Sequence, residues 1–138
     1  MGRIITFDGG GIRGVLTATV LERIVSAYPS LLTNATLLSG TSTGGIIALG
    51  LASGMSPAQL RKLYEDTGPS IFDASWRISF GGKLISKYSN KALKNVLDGV
   101  FGDQKLGDLA KEVLIPTFDL DSQEETLART WKPKFFRR

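Results

Sequence analysis

Two short glycine-rich runs carry the chemistry that this sequence can offer. The first is Asp8-Gly9-Gly10-Gly11-Ile12-Arg13-Gly14, which contains G-x-G-x-x-G at Gly9, Gly11 and Gly14. The second is Gly40-Thr41-Ser42-Thr43-Gly44, a G-x-S-x-G centred on a serine. A serine on a sharp strand-to-helix turn, flanked by small residues, exposes its hydroxyl as a nucleophile. A glycine turn at a helix N-terminus offers backbone N–H groups and partial positive charge, which suit an anion. That anion is either a pyrophosphate or the oxyanion of an acyl-transfer intermediate. Taken singly, each run also has a plain reading, as a tight connection that lets a strand and a helix pack closely. Arg13 adds a cation beside the first loop, suited to an oxyanion environment, to a substrate phosphate or to an ordinary surface.

The composition narrows the chemistry further. The 138 residues include no histidine and no cysteine. Every Ser-His-Asp triad, the usual zinc ligands and any disulfide framework are therefore excluded. A nucleophilic serine here needs a carboxylate or a lysine as its base, and no metal or other cofactor is expected. No Gly-Lys-Ser/Thr of a P-loop occurs, nor the Ser-x-x-Lys of a Ser-Lys hydrolase. A dinucleotide site needs an acidic residue closing the second strand, but Leu37-Leu38-Ser39-Gly40 supplies none.

Positioning the two runs requires strands before them and helices after them. Arg3-Ile4-Ile5-Thr6-Phe7 is β-rich and stops at Asp8, which predicts a first strand. Leu16, Val20, Leu21, Ile24, Val25 and Tyr28 recur at helical spacing until Pro29. Ala35-Thr36-Leu37-Leu38 predicts a second strand. The following helix, from Thr43 or Gly44 to Gly54, is apolar all round and so belongs inside the domain. Ser56-Pro57-Ala58-Gln59 reads as a capped helix start, with Gly68-Pro69 as its stop. Residues 70–88 read as irregular, with Trp76, Phe80 and Gly81-Gly82. A helix capped by Ser89 is expected next, with Leu93, Val96, Leu97 and Val100 on one face. Val113 to Phe118 predicts a third strand and Thr126 to Trp131 a fourth, at an edge. Alternating strands and helices imply one α/β domain with a mainly parallel sheet, and both glycine turns then fall at the carboxyl ends of strands.

Net charge is +4, and residues 1–60 hold three basic and two acidic side chains. The basic balance is spread out, without the aromatic interleaving of a nucleic-acid surface. The one local excess is Arg129 to Arg138, five basic residues without an acid, a solvated tail or a membrane-facing edge. Ile24 to Leu60 is uncharged but broken by Pro29, Asn34, Ser39 and Thr41, so it reads as core and not as a membrane span. No signal peptide is seen, although Gly2 and Thr6 fit the loose myristoylation pattern. A cytoplasmic location, or one peripheral to a membrane, is expected.

With the two motifs in this order, the chain resembles the patatin-like phospholipases. Ile4 to Gly14 is similar to that family's opening strand and oxyanion loop. Lys87-Tyr88-Ser89, Leu93, Leu97, Phe101-Gly102 and Leu106-Gly107-Asp108-Leu109 resemble its middle helix and following turn. Leu114-Ile115-Pro116-Thr117-Phe118-Asp119 resembles its next strand. The resemblance implies a three-layer α/β/α fold and a Ser-Asp dyad that hydrolyses lipid acyl esters through an acyl-enzyme. Its partner would be a lipid or phospholipid at a membrane or micelle surface. Ser42 is then the nucleophile, Gly10 and Gly11 the oxyanion donors, and Arg13 the basic residue of the same loop. The family's aspartate, in an Asp-Gly-Gly or Asp-Gly-Ala turn, would lie beyond Arg138. Residues 1–138 then form the N-terminal portion of the domain, incomplete at its C-terminal side and without its base. The rival reading is a non-catalytic fragment or degenerate copy of the same domain.

Overall fold

The structure is a computed structural model that describes residues 2–72, 90–119 and 124–130. Strand β1 (Arg3–Phe7) leads through a 3-10 turn at Gly11–Arg13 into helix α1 (Gly14–Ala27). A single helical turn, α2 (Ser30–Thr33), precedes β2 (Ala35–Gly40), α3 (Thr43–Ala52) and α4 (Pro57–Phe72). Then come α5 (Asn90–Phe101), a second 3-10 turn at Leu106–Asp108, β3 (Glu112–Asp119) and β4 (Glu124–Arg129). The sheet order is β1-β2-β3-β4. The first three strands are parallel, and β4 returns antiparallel to β3. This is the mainly parallel α/β sheet that the alternation implies.

Helices α1, α3 and α4 share one core with the sheet. Ala18 and Leu21 of α1, Ile47 and Ala48 of α3, and Leu60 and Tyr64 of α4 pack with Phe7, Leu38 and Val113. Fully burying side chains such as Leu38, Ile47 and Leu60 stabilises the fold by about 1.5–3 kcal/mol each. Eight of the ten residues of α3 are buried, as its unbroken apolar sequence requires. Arg61 of α4 bridges to Glu22 of α1 at 2.7 Å and to Glu65 at 2.6 Å, which pins the two outer helices together.

Among the described residues, no helix covers the opposite face of the sheet. Ile4 is 66% exposed and Phe118 57% exposed, with Leu37 and Leu114 only half-buried beside them. Parallel sheets are ordinarily covered on both faces, so the described residues form two of the three expected layers.

Helix α4 departs from the sequence reading at its end. Its start is as expected: Ser56 N–H donates to Gln59 Oε1 at 2.8 Å, and Gln59 N–H to Ser56 Oγ at 3.2 Å. Gly68-Pro69 does not stop it, and Pro69 sits inside the helix. A proline there removes one hydrogen bond and clashes with the preceding turn, at a cost of about 3 kcal/mol. Burial of Ile71 and the bond from Ser70 Oγ to the Thr67 carbonyl, 2.8 Å, hold the last turn regardless. Strand β4 starts two residues earlier than the expected Thr126, because the hairpin with β3 pairs Asp119 with Glu124. The expectations for Trp76, Phe80, Gly81-Gly82, Lys87-Tyr88-Ser89 and Trp131–Arg138 lie outside the described residues.

Candidate active site

The register of β1 on β2 sets Phe7 opposite Gly40, so both glycine turns leave the sheet at one level of its carboxyl edge. Thr41 N–H donates to the Phe7 carbonyl at 3.3 Å and ties the second turn to the first strand. The chain then reverses through Ser42, with φ 52 and ψ −124, the only non-glycine residue at positive φ among the described residues. Such a conformation costs of order 1–3 kcal/mol and persists only where the surroundings impose it.

Those surroundings are the two flanking glycines. A Cβ on Gly40 would collide with the Gly44 carbonyl, and a Cβ on Gly44 would collide with the carbonyl of Phe7. Strand end, turn and helix start therefore approach each other backbone to backbone, which only glycine permits. Gly44 N–H bonds the Thr41 carbonyl at 2.8 Å and Gly45 N–H bonds the Ser42 carbonyl at 3.0 Å, starting α3 directly behind the serine.

Ser42 is the N-cap of α3, yet its side chain makes no capping bond. A capping serine is ordinarily worth about 1 kcal/mol. Here that bond is absent and the residue is exposed. The hydroxyl has no hydrogen-bond partner among the described residues, and it stands on the positive end of a buried helix, where developing negative charge is favoured.

The loop Gly9–Gly11 lies alongside. A Cβ built on Gly9 would stand 3.0 Å from Ser42 Cβ. Gly9 N–H donates to Thr41 Oγ1 at 3.2 Å, so this amide is occupied by the neighbouring turn. The N–H groups of Gly10 and Gly11 have no partner among the described residues. Gly11 takes φ 59, which bends the chain into the 3-10 turn and leaves the two amides on the loop. Arg13 folds back on the same loop, with its backbone N–H 3.2 Å and its Nε 3.4 Å from the Gly10 carbonyl. Its side chain thus braces the loop from the outside.

Gly14 is required by packing. A Cβ there would stand 2.8 Å from Cε1 of the Tyr64 ring. Tyr64 is buried, and its hydroxyl donates to the Thr43 carbonyl at 2.7 Å. One α4 side chain thereby sets the helix after the Gly9–Gly11 loop against the residue after Ser42. Burial pushes the Tyr64 phenol well above the usual tyrosine range. Neither the Thr41 hydroxyl nor Tyr64 stood out in the sequence. Thr41 occupies a free position of its motif, and Tyr64, four residues after Leu60, reads only as core.

Three of the described aspartates bear on the search for a base. Asp8 is exposed at the start of the first loop. Asp98 is on α5 and pairs with Lys94 at 2.6 Å. Asp119 ends β3. No cluster of His, Cys, Asp or Glu suited to a metal ion is found among the described residues. No helix among them is long and apolar enough to cross a membrane.

Comparison with known proteins adds a family to this geometry. Residues 5–138 match the family described as patatin-like phospholipase. CotR of Bacillus subtilis is 37% identical over 139 residues, covering 97% of this chain and 41% of its own length. A cGAMP-activated phospholipase of Pseudomonas aeruginosa is 36% identical over 82% of this chain and 35% of its own length. Patatin-17 of Solanum cardiophyllum is 28% identical over 90% of this chain and 35% of its own length. The chain thus spans about two fifths of these relatives at most.

Proposed function

The chain belongs to the patatin-like phospholipase family, and from that premise we propose that it is the nucleophile-bearing part of a serine lipid acyl hydrolase. The observation that carries this is Ser42 itself. It is exposed and uncapped at φ 52 on the turn into α3, with the Gly9–Gly11 loop packed beside it. A residue that forgoes its cap and holds a strained backbone is being used for its hydroxyl.

In the proposed reaction, Ser42 Oγ bonds to the acyl carbonyl carbon while its proton passes to a carboxylate. The carbonyl electron pair moves onto oxygen, where the Gly10 and Gly11 N–H groups receive it at about 3 Å. Collapse of the intermediate expels the alcohol of the lipid, which takes the proton back from the carboxylic acid. Water, deprotonated by the same carboxylate, then attacks the acyl-enzyme and releases the fatty acid and Ser42. Arg13 keeps the donor loop in place through the Gly10 carbonyl. The substrate is a lipid or phospholipid ester met at a membrane or micelle surface, and no cofactor takes part.

The carboxylate is the missing member. Asp8 stands at the start of the glycine loop, Asp98 is paired with Lys94 on α5, and Asp119 ends β3. The family resemblance implies that the base comes from an Asp-Gly-Gly or Asp-Gly-Ala turn outside these 138 residues. Labelling with a serine-directed fluorophosphonate tests the nucleophile in the longer polypeptide. Covalent modification is expected at Ser42 and lost in Ser42→Ala; labelling that persists in the variant overturns the reading.

A further inference from the structure

Of the seven large apolar side chains left exposed among the described residues, five recur at every fourth position: Ile12, Leu16, Val20, Ile24 and Tyr28, between 41% and 69% exposed. Residues four apart stand one above another on a helix, so the outer side of α1 carries a continuous apolar ridge. Over the 14 residues of α1 it runs for about 21 Å. The inner side of the same helix already supplies the core, through Gly14, Ala18 and Leu21. Packing within the domain therefore does not account for the ridge. Single exposed apolar residues are ordinary, whereas a contiguous row marks a surface that is covered in use.

The charges beside the ridge bear on what covers it. Arg13 and Arg23 are exposed, three residues from Leu16 and Val20 respectively, and so flank the row. No carboxylate pairs with either among the described residues. Glu22, the one acid of α1, is held by Arg61 of α4 at 2.7 Å, and Glu65 closes on the same guanidinium at 2.6 Å. On that side the helix borders a polar cleft of about 470 Å³, lined by Thr19, Glu22, Arg23, Ser26, Arg61 and Glu65. An apolar row edged by unpaired cations, with its acid engaged elsewhere, is complementary to an anionic, partly apolar partner.

We propose that the outer side of α1 is the surface by which this protein docks on an anionic phospholipid bilayer. The helix lies in the interface plane, its ridge enters the boundary between headgroups and acyl chains, and the two guanidinium groups meet lipid phosphates. A second copy of the chain fits this surface poorly, because twofold pairing of the ridge brings four arginines together without an unengaged acid of α1 between them. The ridge starts at Ile12, whose Cδ1 occupies the space beside Gly68 where a Cβ would stand, directly after the Gly9–Gly11 loop. The docked helix thus begins at the loop packed against Ser42, and lipid is met at that end; this consequence rests on the hydrolase reading.

The test uses the full chain with Ser42→Ala, so that no hydrolysis alters the vesicles. The chain has no cysteine, so one introduced thiol carries one label. An environment-sensitive fluorophore on Val20→Cys is expected to shift to the blue on vesicles of equal parts phosphatidylcholine and phosphatidylglycerol. The same label on Lys62→Cys, at an exposed position of α4, is not. In sedimentation with these vesicles, unlabelled Val20→Asp should bind at least about tenfold more weakly, having lost an apolar group and gained a repelled charge. Arg23→Gln should bind about fivefold more weakly to them, and no differently from its parent to phosphatidylcholine alone. A Val20 label already blue-shifted without vesicles would overturn the proposal: in a monomer it shows the ridge covered by the chain itself, and with a doubled mass it shows a second copy. Equal binding to the two kinds of vesicle, or equal binding of Val20→Asp and its parent, would overturn it as well. None of these readouts needs Ser42 to react, so they fail separately from the fluorophosphonate experiment.

Discussion

Gly9 and Ser42 lie so close that a methyl group on Gly9 would stand 3.0 Å from Ser42 Cβ and 3.0 Å from the Thr41 carbonyl oxygen. The Gly9–Gly11 loop and the Ser42 turn are thus one packed unit. Gly9→Ala is expected to push the loop away from the serine. If the proposed hydrolase reading holds, kcat should fall by up to about a hundredfold, since misplacement by about 1 Å costs that much. KM should change little. Steady-state kinetics on a short-chain ester checks this, and an unchanged kcat would separate the loop from catalysis.

The strain at Ser42 makes a second expectation. Ser42→Gly relieves a positive φ and should raise stability by about 1–3 kcal/mol, while Ser42→Ala, which keeps the Cβ, should not. Both should lose fluorophosphonate labelling. Urea unfolding of the three chains measures the difference. Equal stability of the glycine and alanine variants would remove the strain argument.

Two glycines should respond in opposite directions to the same methyl group. Gly44→Ala drives a Cβ into the Phe7 carbonyl and is expected to destabilise the fold by more than about 3 kcal/mol, beyond the range of ordinary overpacking. Gly99, in α5, has nothing within 4 Å of its would-be Cβ. Gly99→Ala should stabilise by about 0.5–1 kcal/mol through helix propensity. Chemical denaturation of both variants checks the pair.

Tyr64 links stability to alkaline pH. Its phenol is pushed up in the folded state by burial, whereas in the unfolded chain it titrates near its ordinary value, about 10. A group raised on folding contributes stability that is fully present below the unfolded value and is lost as pH rises above it. Wild-type stability should thus fall above about pH 10 more steeply than that of Tyr64→Phe. At neutral pH the variant should be weaker by about 0.5–1.5 kcal/mol, the worth of the bond to the Thr43 carbonyl. Parallel slopes above pH 10 would show that Tyr64 does not ionise on unfolding.

Turnover depends on the base. The chain ending at Arg138 is expected to hydrolyse a short-chain ester no faster than Ser42→Ala, and the polypeptide extended to the next Asp-Gly-Gly or Asp-Gly-Ala turn is expected to be active. Equal, Ser42-dependent rates in two folded chains would place the base within these residues, with Asp119 the first to substitute.

Local chemistry made much of this protein legible beforehand. The Ser56–Gln59 capping box, the all-round apolar α3 and the two strand-to-helix glycine turns depend on residues a few positions apart, whose propensities and spacing are written in order along the chain. The family resemblance came from the same short-range signals. Contacts between distant residues were not readable in this way. Helix α4 continues through Pro69 because Ile71 finds a buried place. Gly14 and Gly44 are glycines because Tyr64 and the Phe7 carbonyl come to lie against them. Thr41 holds Gly9 across 32 residues of chain. The sheet face that no described helix covers appears only once β1, β2 and β3 are assembled, because strand order and the side on which each crossover passes are properties of the whole packed chain and are encoded in no single segment.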